Sequence, residues 1–285
     1  MFRRSMAFGG SWYPADRNAC ERQIQEFWRQ GNPAGPATGS PLRLGIVPHA
    51  GWLFSGALAA RVFRCLTPEP PDLVVVLGGH LRPGDPVVAM VEGAWETPFG
   101  EFRLHRAFRE ELEGLPSLLL EDERQYFPDN SVELQLPFAK YQYPQAELLT
   151  LRVPPSRLAL EVGRRLEAYL NRTGLKAVLV ASTDLTHYGP NYHFEPQGRG
   201  LPGLRWVREE NDPAFLAAVA GGDGEAILTM ARERSNACSP GAVAALNTVA
   251  QARNQGFHSL GYTTSHDVMS GDKENFVGYM GGVFA

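Results

Sequence analysis

Three histidines stand just beyond apolar runs. His49 follows Leu44-Gly45-Ile46-Val47-Pro48, His80 follows Leu73-Val74-Val75-Val76-Leu77-Gly78-Gly79, and His187 lies past Ala177-Val178-Leu179-Val180-Ala181-Ser182. Imidazole is the commonest protein metal ligand and, titrating at about pH 6.5, a proton shuttle at neutral pH. Asp184 precedes His187 by three residues. At that spacing a carboxylate can orient an imidazole, or share a metal or a substrate proton with it. Each histidine taken alone equally caps a strand end in a loop, and Ser182, Thr183 and Asp184 equally cap a turn. Three imidazoles in the same position favour convergence on one point.

Cys238 adds a softer donor. It lies in Ser235-Asn236-Ala237-Cys238-Ser239-Pro240-Gly241, ahead of the helical pattern Ala242-Val243-Ala244-Ala245-Leu246-Asn247-Thr248-Val249-Ala250. Ser239 reads as an N-cap and Pro240 as the first helical residue. The free amides and dipole of a helix N-terminus favour thiolate, the form that binds metals and attacks electrophiles. Cys20 and Cys65 sit within helical patterns and read as inert filling.

These residues need a scaffold that brings strand ends together. Strand patterns at 43–48, 73–78, 147–153 and 176–182 alternate with helices at 55–66, 105–114, 131–141 and 156–171. An extended pair around 86–103 turns at Thr97-Pro98-Phe99-Gly100. A Gly/Pro stretch, 189–203, leads to helices near 212–220, 223–233 and 240–255, and strands at 258–264 and 276–284 close the chain. An amphipathic helix at 16–29 and a linker, Gly31 to Pro41, come first. Uninterrupted Val/Leu runs fit parallel strands covered on both faces, and the alternation predicts a three-layer α/β fold with a largely parallel central sheet, in one domain over 1–285. In such sheets ligands bind beyond the carboxyl ends of the strands.

At 285 residues with 44% apolar content the chain can bury a large core. Its net charge of −4 gives no basic field for nucleic acid or an anionic membrane. No stretch reaches the roughly 18 apolar residues of a membrane span, and no apolar segment follows Arg3-Arg4 to suggest a signal peptide. Three cysteines without a CxxC fit a reducing cytoplasm. There is no P-loop, no dinucleotide-binding glycine fingerprint and no GxSxG elbow.

Other residues are candidates for the walls of a site. Trp12 and Trp52 can line a pocket, although aromatics are equally ordinary core material. Asp129-Asn130-Ser131 opens a helix, where an acid can reach a site or simply face the helix dipole. His105, His193, His258 and His266 lie in polar surroundings and receive no role.

In order along the chain, several segments resemble the MEMO family, the proteins called the B component of the AmmeMemoRadiSam system. They are Gly10-Ser11-Trp12-Tyr13-Pro14, Pro48-His49-Ala50-Gly51-Trp52-Leu53-Phe54-Ser55-Gly56, Gly78-Gly79-His80, Thr97-Pro98-Phe99-Gly100, Asn130-Ser131-Val132-Glu133-Leu134-Gln135-Leu136-Pro137-Phe138, Ser182-Thr183-Asp184-Leu185-Thr186-His187-Tyr188-Gly189, Ala237-Cys238 and the tail around Gly271-Asp272 and Val277-Gly278-Tyr279. The resemblance implies a fold like the class III extradiol ring-cleaving dioxygenases, whose iron is held by two His and one carboxylate. It implies a metal site of His49, His80 and Cys238, and it places His187, with Asp184 alongside, at the position of the dioxygenases' acid/base histidine. The family segment usually reads Glu-His-Ser where this chain has Asp129-Asn130-Ser131, and Asn130 can hydrogen-bond a substrate but cannot titrate.

The implied function is a metal-dependent redox enzyme, dioxygenase-like, using Fe(II), with Cu or Zn also compatible with a thiolate ligand. It would act on a small or modified substrate lying against Trp12, Trp52 and Asn130, and the resemblance implies a radical-SAM partner protein. The alternative is a non-catalytic module that binds a peptide or a metal. Eukaryotic relatives are described as adaptors for phosphotyrosine peptides, yet no Arg pair stands beside the pocket motifs here.

Overall fold

Leu73–Gly78 and Ala177–Ser182 are buried along their whole length, as Val-rich runs covered on both faces must be. The computed structural model describes residues 2–30, 35–36, 40–269 and 274–285. Four parallel strands form the centre of its main sheet, in the order Leu44–Val47, Ala177–Ser182, Leu73–Gly78, Glu147–Arg152. The flanks turn antiparallel. Phe276–Phe284 runs beside Leu44–Val47 and also pairs with Phe257–Thr264 and His187–Tyr188. On the other side Val87–Met90 lies antiparallel to Glu147–Arg152 and carries Leu118–Leu120 at the edge.

The two-residue period of a strand divides the core into two. Leu73, Val75 and Leu77 enter one cluster, with the helices Arg157–Thr173 and Pro240–Ala252. Val74 and Val76 enter the other, against Arg17–Gln30, Trp52–Cys65 and Leu136–Gln142. At about 1.5–3 kcal/mol per fully buried Val or Leu, this double burial is what makes the centre of the sheet rigid enough to position strand ends. Gly163 lets the two helices of the first face close: a Cβ there would lie 2.5 Å from the Ala245 carbonyl oxygen. The three-layer α/β architecture expected from the sequence is present.

Several boundaries differ from the sequence reading. The helix expected at 55–66 starts at Trp52, directly after Gly51. The helix expected at 131–141 is broken into Asn130–Glu133 and Leu136–Gln142. Pro137 lacks the N–H that an unbroken helix would donate to the Glu133 carbonyl. Part of the loose stretch 189–203 is helical: Leu201–Trp206 begins with Pro202 in its first turn, where no donor is needed, and runs into a π-helical segment, Val207–Asn211. Positions 31–34 and 37–39 of the expected linker, and the Gly271-Asp272 motif, lie outside the described residues. Among the described residues no helix is long and apolar enough to cross a membrane.

Candidate metal centre

His49, Asp184 and His80 each stand two residues past the end of a strand, and those three strands are neighbours: Leu44–Val47, Ala177–Ser182 and Leu73–Gly78. Parallel pairing therefore delivers all three side chains to one rim of the sheet. The turn into His80 depends on Gly79, whose φ is +113° and whose Cβ would lie 2.8 Å from that of Arg152. Cys238 approaches from the loop ahead of the helix Pro240–Ala252.

The ligand atoms of His49, His80 and Cys238 lie within 4.8 Å of one another. His49 Nε2 is 3.1 Å from His80 Nε2 and 3.1 Å from Cys238 Sγ. Bonds of about 2.0–2.1 Å to nitrogen and 2.3 Å to sulfur around a tetrahedral ion imply ligand separations of about 3.3–3.6 Å, so small adjustments accommodate a common metal. Both imidazoles have their other nitrogen occupied, as metal-bound histidines usually do. His49 Nδ1 meets Ser182 Oγ at 3.0 Å. His80 Nδ1 faces Asp129 Oδ1 at 3.5 Å. Gln135 steadies the His49 side by donating to Ser182 Oγ and to the Pro48 carbonyl.

The three groups perturb one another strongly. Burial opposes the Cys238 thiolate, but His49 and His80 outweigh it and hold the thiol well below its ordinary range. The same burial disfavours a charged His80, yet Asp129 and Cys238 raise its pKa to about 10. His49 is likewise raised, because Cys238 and Asp184 overcome the cost of burying its charge. Burial pushes Asp184 up. Ser239 occupies the N-cap position of the helix Pro240–Ala252 without a side-chain cap, and the Cys238 sulfur accepts the Asp184 N–H at 3.2 Å. Two imidazoles and a thiolate form a borderline donor set that suits Zn, Cu(I) or iron.

His49 and His80 line a crevice of about 370 Å³ with aromatic walls, among them Trp12, Phe54, Tyr192 and Tyr279. Asn130, Asp184 and His187 line it as well. Asn130 donates to the His49 carbonyl at 3.0 Å. His187 is half-buried on the short strand beside Val277, edge-on to Tyr192. Of the residues singled out from the sequence, seven thus share this site. Trp52 does not wall the crevice. It is buried beneath it, stacked on Phe138 at 4.2 Å between ring centroids, with its indole N–H directed at the Leu134 carbonyl. His105 also departs from its reading as a polar surface residue, for it is buried between Glu147 and Tyr169, at 2.5 and 2.6 Å.

Sequence reasoning did not assign Ser182, Gln135 or Arg152 to this region. Asp129 was visible only as an acid at a helix start. It does cap that helix, accepting the Ser131 N–H, while also facing His80.

The chain matches the family model described as Memo-like protein over residues 4–283. It is 31% identical to a MEMO1 family protein of Methanopyrus kandleri, across 99% of this chain and 98% of that one. With a MEMO1 family protein of Thermococcus onnurineus it shares 29% identity across 99% of both. A crystal structure of an uncharacterized protein from Escherichia coli K12 has a similar fold, with a TM-score of 0.50 at 14% identity, covering 86% of this chain and 100% of that one. With a match over nearly its whole length and relatives of equal extent, the chain belongs to the Memo-like protein family.

Proposed function

We propose that this protein is an iron-dependent, dioxygenase-like redox enzyme acting on a small or modified aromatic substrate. The observation that carries the reading is the convergence of His49, His80 and Cys238 on one point, with both imidazoles lining a crevice that also holds His187. Iron held by two imidazoles and a thiolate would supply O2 chemistry through its open positions.

The chain's own residues supply the rest. Trp12, Phe54, Tyr192 and Tyr279 offer flat faces to an aromatic ring. Asn130, polar and without a titrating proton, orients a substrate hydroxyl or carbonyl. His187 reaches the crevice without bonding to the metal ligands, so its imidazole is free to take a proton from a substrate hydroxyl and return it later. Three cysteines with no disulfide fit a reducing cytoplasm, where we place the protein. A radical-SAM partner belongs to the same proposal.

Anaerobic purification followed by metal analysis and O2 uptake tests the reading. A panel of phenols and catechols, then cell extract, serves as substrate. The expected result is about one iron per chain and substrate-dependent O2 consumption. One tightly bound metal with no O2 uptake on any substrate would instead support a metal-binding module.

A further inference from the structure

Behind His80 runs a file of buried charges, drawn from four separate parts of the chain. Asp129 Oδ1 faces His80 Nδ1, and Asp129 Oδ2 lies 3.7 Å from Arg152 Nη1. The other arm of the Arg152 guanidinium binds Glu121 Oε1. Glu121 Oε2 in turn takes Arg4 Nη1 at 2.6 Å. Side-chain exposure is 3% for Arg4, 3% for Glu121, 11% for Arg152 and 7% for Asp129. Arg4 is further fixed by the Trp95 ring, 4.0 Å beneath its guanidinium carbon.

Stability does not account for this arrangement. Buried ions surrender their hydration, and apolar residues of the same volume are often as stable or more so. Its direction is more informative: the file ends on the nitrogen that fixes how the His80 ring presents Nε2 to the site. Asp129 is pulled two ways, because its Oδ1 also accepts the Ser131 N–H at 2.9 Å. The Arg152 fork spans Asp129 and Glu121 with different nitrogens, so its plane sets where the Asp129 carboxylate rests. Arg152 also abuts the turn into His80 through its backbone. It pairs with Gly78 in the sheet, and Val153 donates to the Gly78 carbonyl at 2.8 Å.

We propose that Arg152 is a positioning residue for the metal site, acting through Asp129 on His80 and held in place by Glu121 and Arg4. This rests on the metal reading above. Outer partners of metal-bound histidines are commonly worth 10–100-fold in metal affinity.

The test is titration of the full chain, stripped by chelation, with Co2+, followed by its sulfur-to-cobalt charge-transfer and d–d bands. Wild type should bind one Co2+. Asp129→Asn should weaken binding by about 10–100-fold and Arg152→Met by about tenfold, with shifted d–d bands. Arg152→Lys should fall between Arg152→Met and wild type, because an ammonium cannot span two carboxylates. In the Asp129→Asn background, Arg152→Met should cost nothing further, whereas a merely structural role would add its own loss. Wild-type affinity and bands in Arg152→Met, or full additivity, overturn the proposal. Should Arg152→Met fail to fold, Arg152→Lys decides, and wild-type behaviour in that variant overturns the proposal equally. A wild-type chain that binds no cobalt overturns both this inference and the metal reading. Cobalt binding by wild type with an indifferent Arg152 removes this inference alone.

Discussion

Asp184 and Cys238 hold each other by their main chains and by the sulfur: the Cys238 N–H donates to the Asp184 carbonyl at 3.2 Å, and the Asp184 N–H donates to Cys238 Sγ at 3.2 Å. The Asp184 carboxylate meanwhile accepts the backbone N–H of His49 at 2.7 Å. One residue between two neighbouring strand ends thus fixes the positions of two of the three candidate ligands. Its carboxylate also lines the crevice, so structural and chemical duties meet in the same side chain.

Removing that carboxylate separates the duties. Asp184→Ala leaves the buried His49 N–H without its acceptor, which should cost about 1–3 kcal/mol of stability, and metal affinity should fall with it. Asp184→Asn keeps an oxygen for the N–H and should retain most of both. Thermal melts and metal titrations of the two variants check this. An Asp184→Asn protein as damaged as Asp184→Ala would show that the negative charge, not the hydrogen bond, does the holding.

His187 should behave in the opposite way. It packs edge-on to Tyr192 at the crevice wall. His187→Ala should lose about 0.5–1.5 kcal/mol from that ring contact. It should abolish turnover while metal stoichiometry stays near one. Loss of the metal in this variant would make His187 a ligand and end its assignment as the proton carrier.

Metal binding should strengthen with rising pH. In the metal-free site the pKa of His80 is raised to about 10, so at neutral pH the ring is an imidazolium beside a thiolate. Binding requires neutral imidazole, so the ion must displace that proton. The sign follows: below about pH 10 each unit of acidification should weaken affinity by about tenfold for one displaced proton. Isothermal titration in buffers of different ionisation enthalpy counts the protons directly. Affinity independent of pH between 6 and 9, scanned at about one-unit steps, contradicts this charge arrangement.

How much of this was legible depended on how far each contact reaches along the chain. His49 and His80 could be read because strands announce themselves locally and a parallel sheet puts their carboxyl ends on one side. Cys238 could be read from the helix that follows it. Trp52 misled because it adjoins the His49-Ala50-Gly51 turn in sequence, whereas the helix starting at that residue directs its ring toward Phe138. His105 looked like a surface residue because its partner Tyr169 is 64 positions away, on the helix Arg157–Thr173. Asp129 and His80 are 49 positions apart, and no local pattern marks a pairing that arises only when two strand ends and a helix cap converge. The antiparallel flanks were equally hidden, since a buried strand carries the same apolar pattern in either direction.

The last prediction concerns the thiols. Burial pushes Cys20 up to about 12, and it also raises Cys65, which lies on the flank of the helix Trp52–Cys65. Cys238 moves the other way, because two imidazoles and the Asp184 N–H favour its thiolate. Thiolate, not thiol, reacts with alkylating agents and leads oxidation in air. In the metal-free protein at pH 7, iodoacetamide should therefore modify Cys238 well before the other two. The crevice lined by Trp12 and Asn130 reaches the His49 and His80 imidazoles, and the sulfur lies 3.1 Å from His49 Nε2. A bound metal should suppress the reaction by occupying the sulfur lone pair, while leaving the slow labelling of Cys65 unchanged. Peptide mass mapping with and without Fe(II) under anaerobic conditions measures both effects. Equal modification of Cys20, Cys65 and Cys238 in the two states would reduce Cys238 to a structural cysteine, and the site would keep only two of its three ligands.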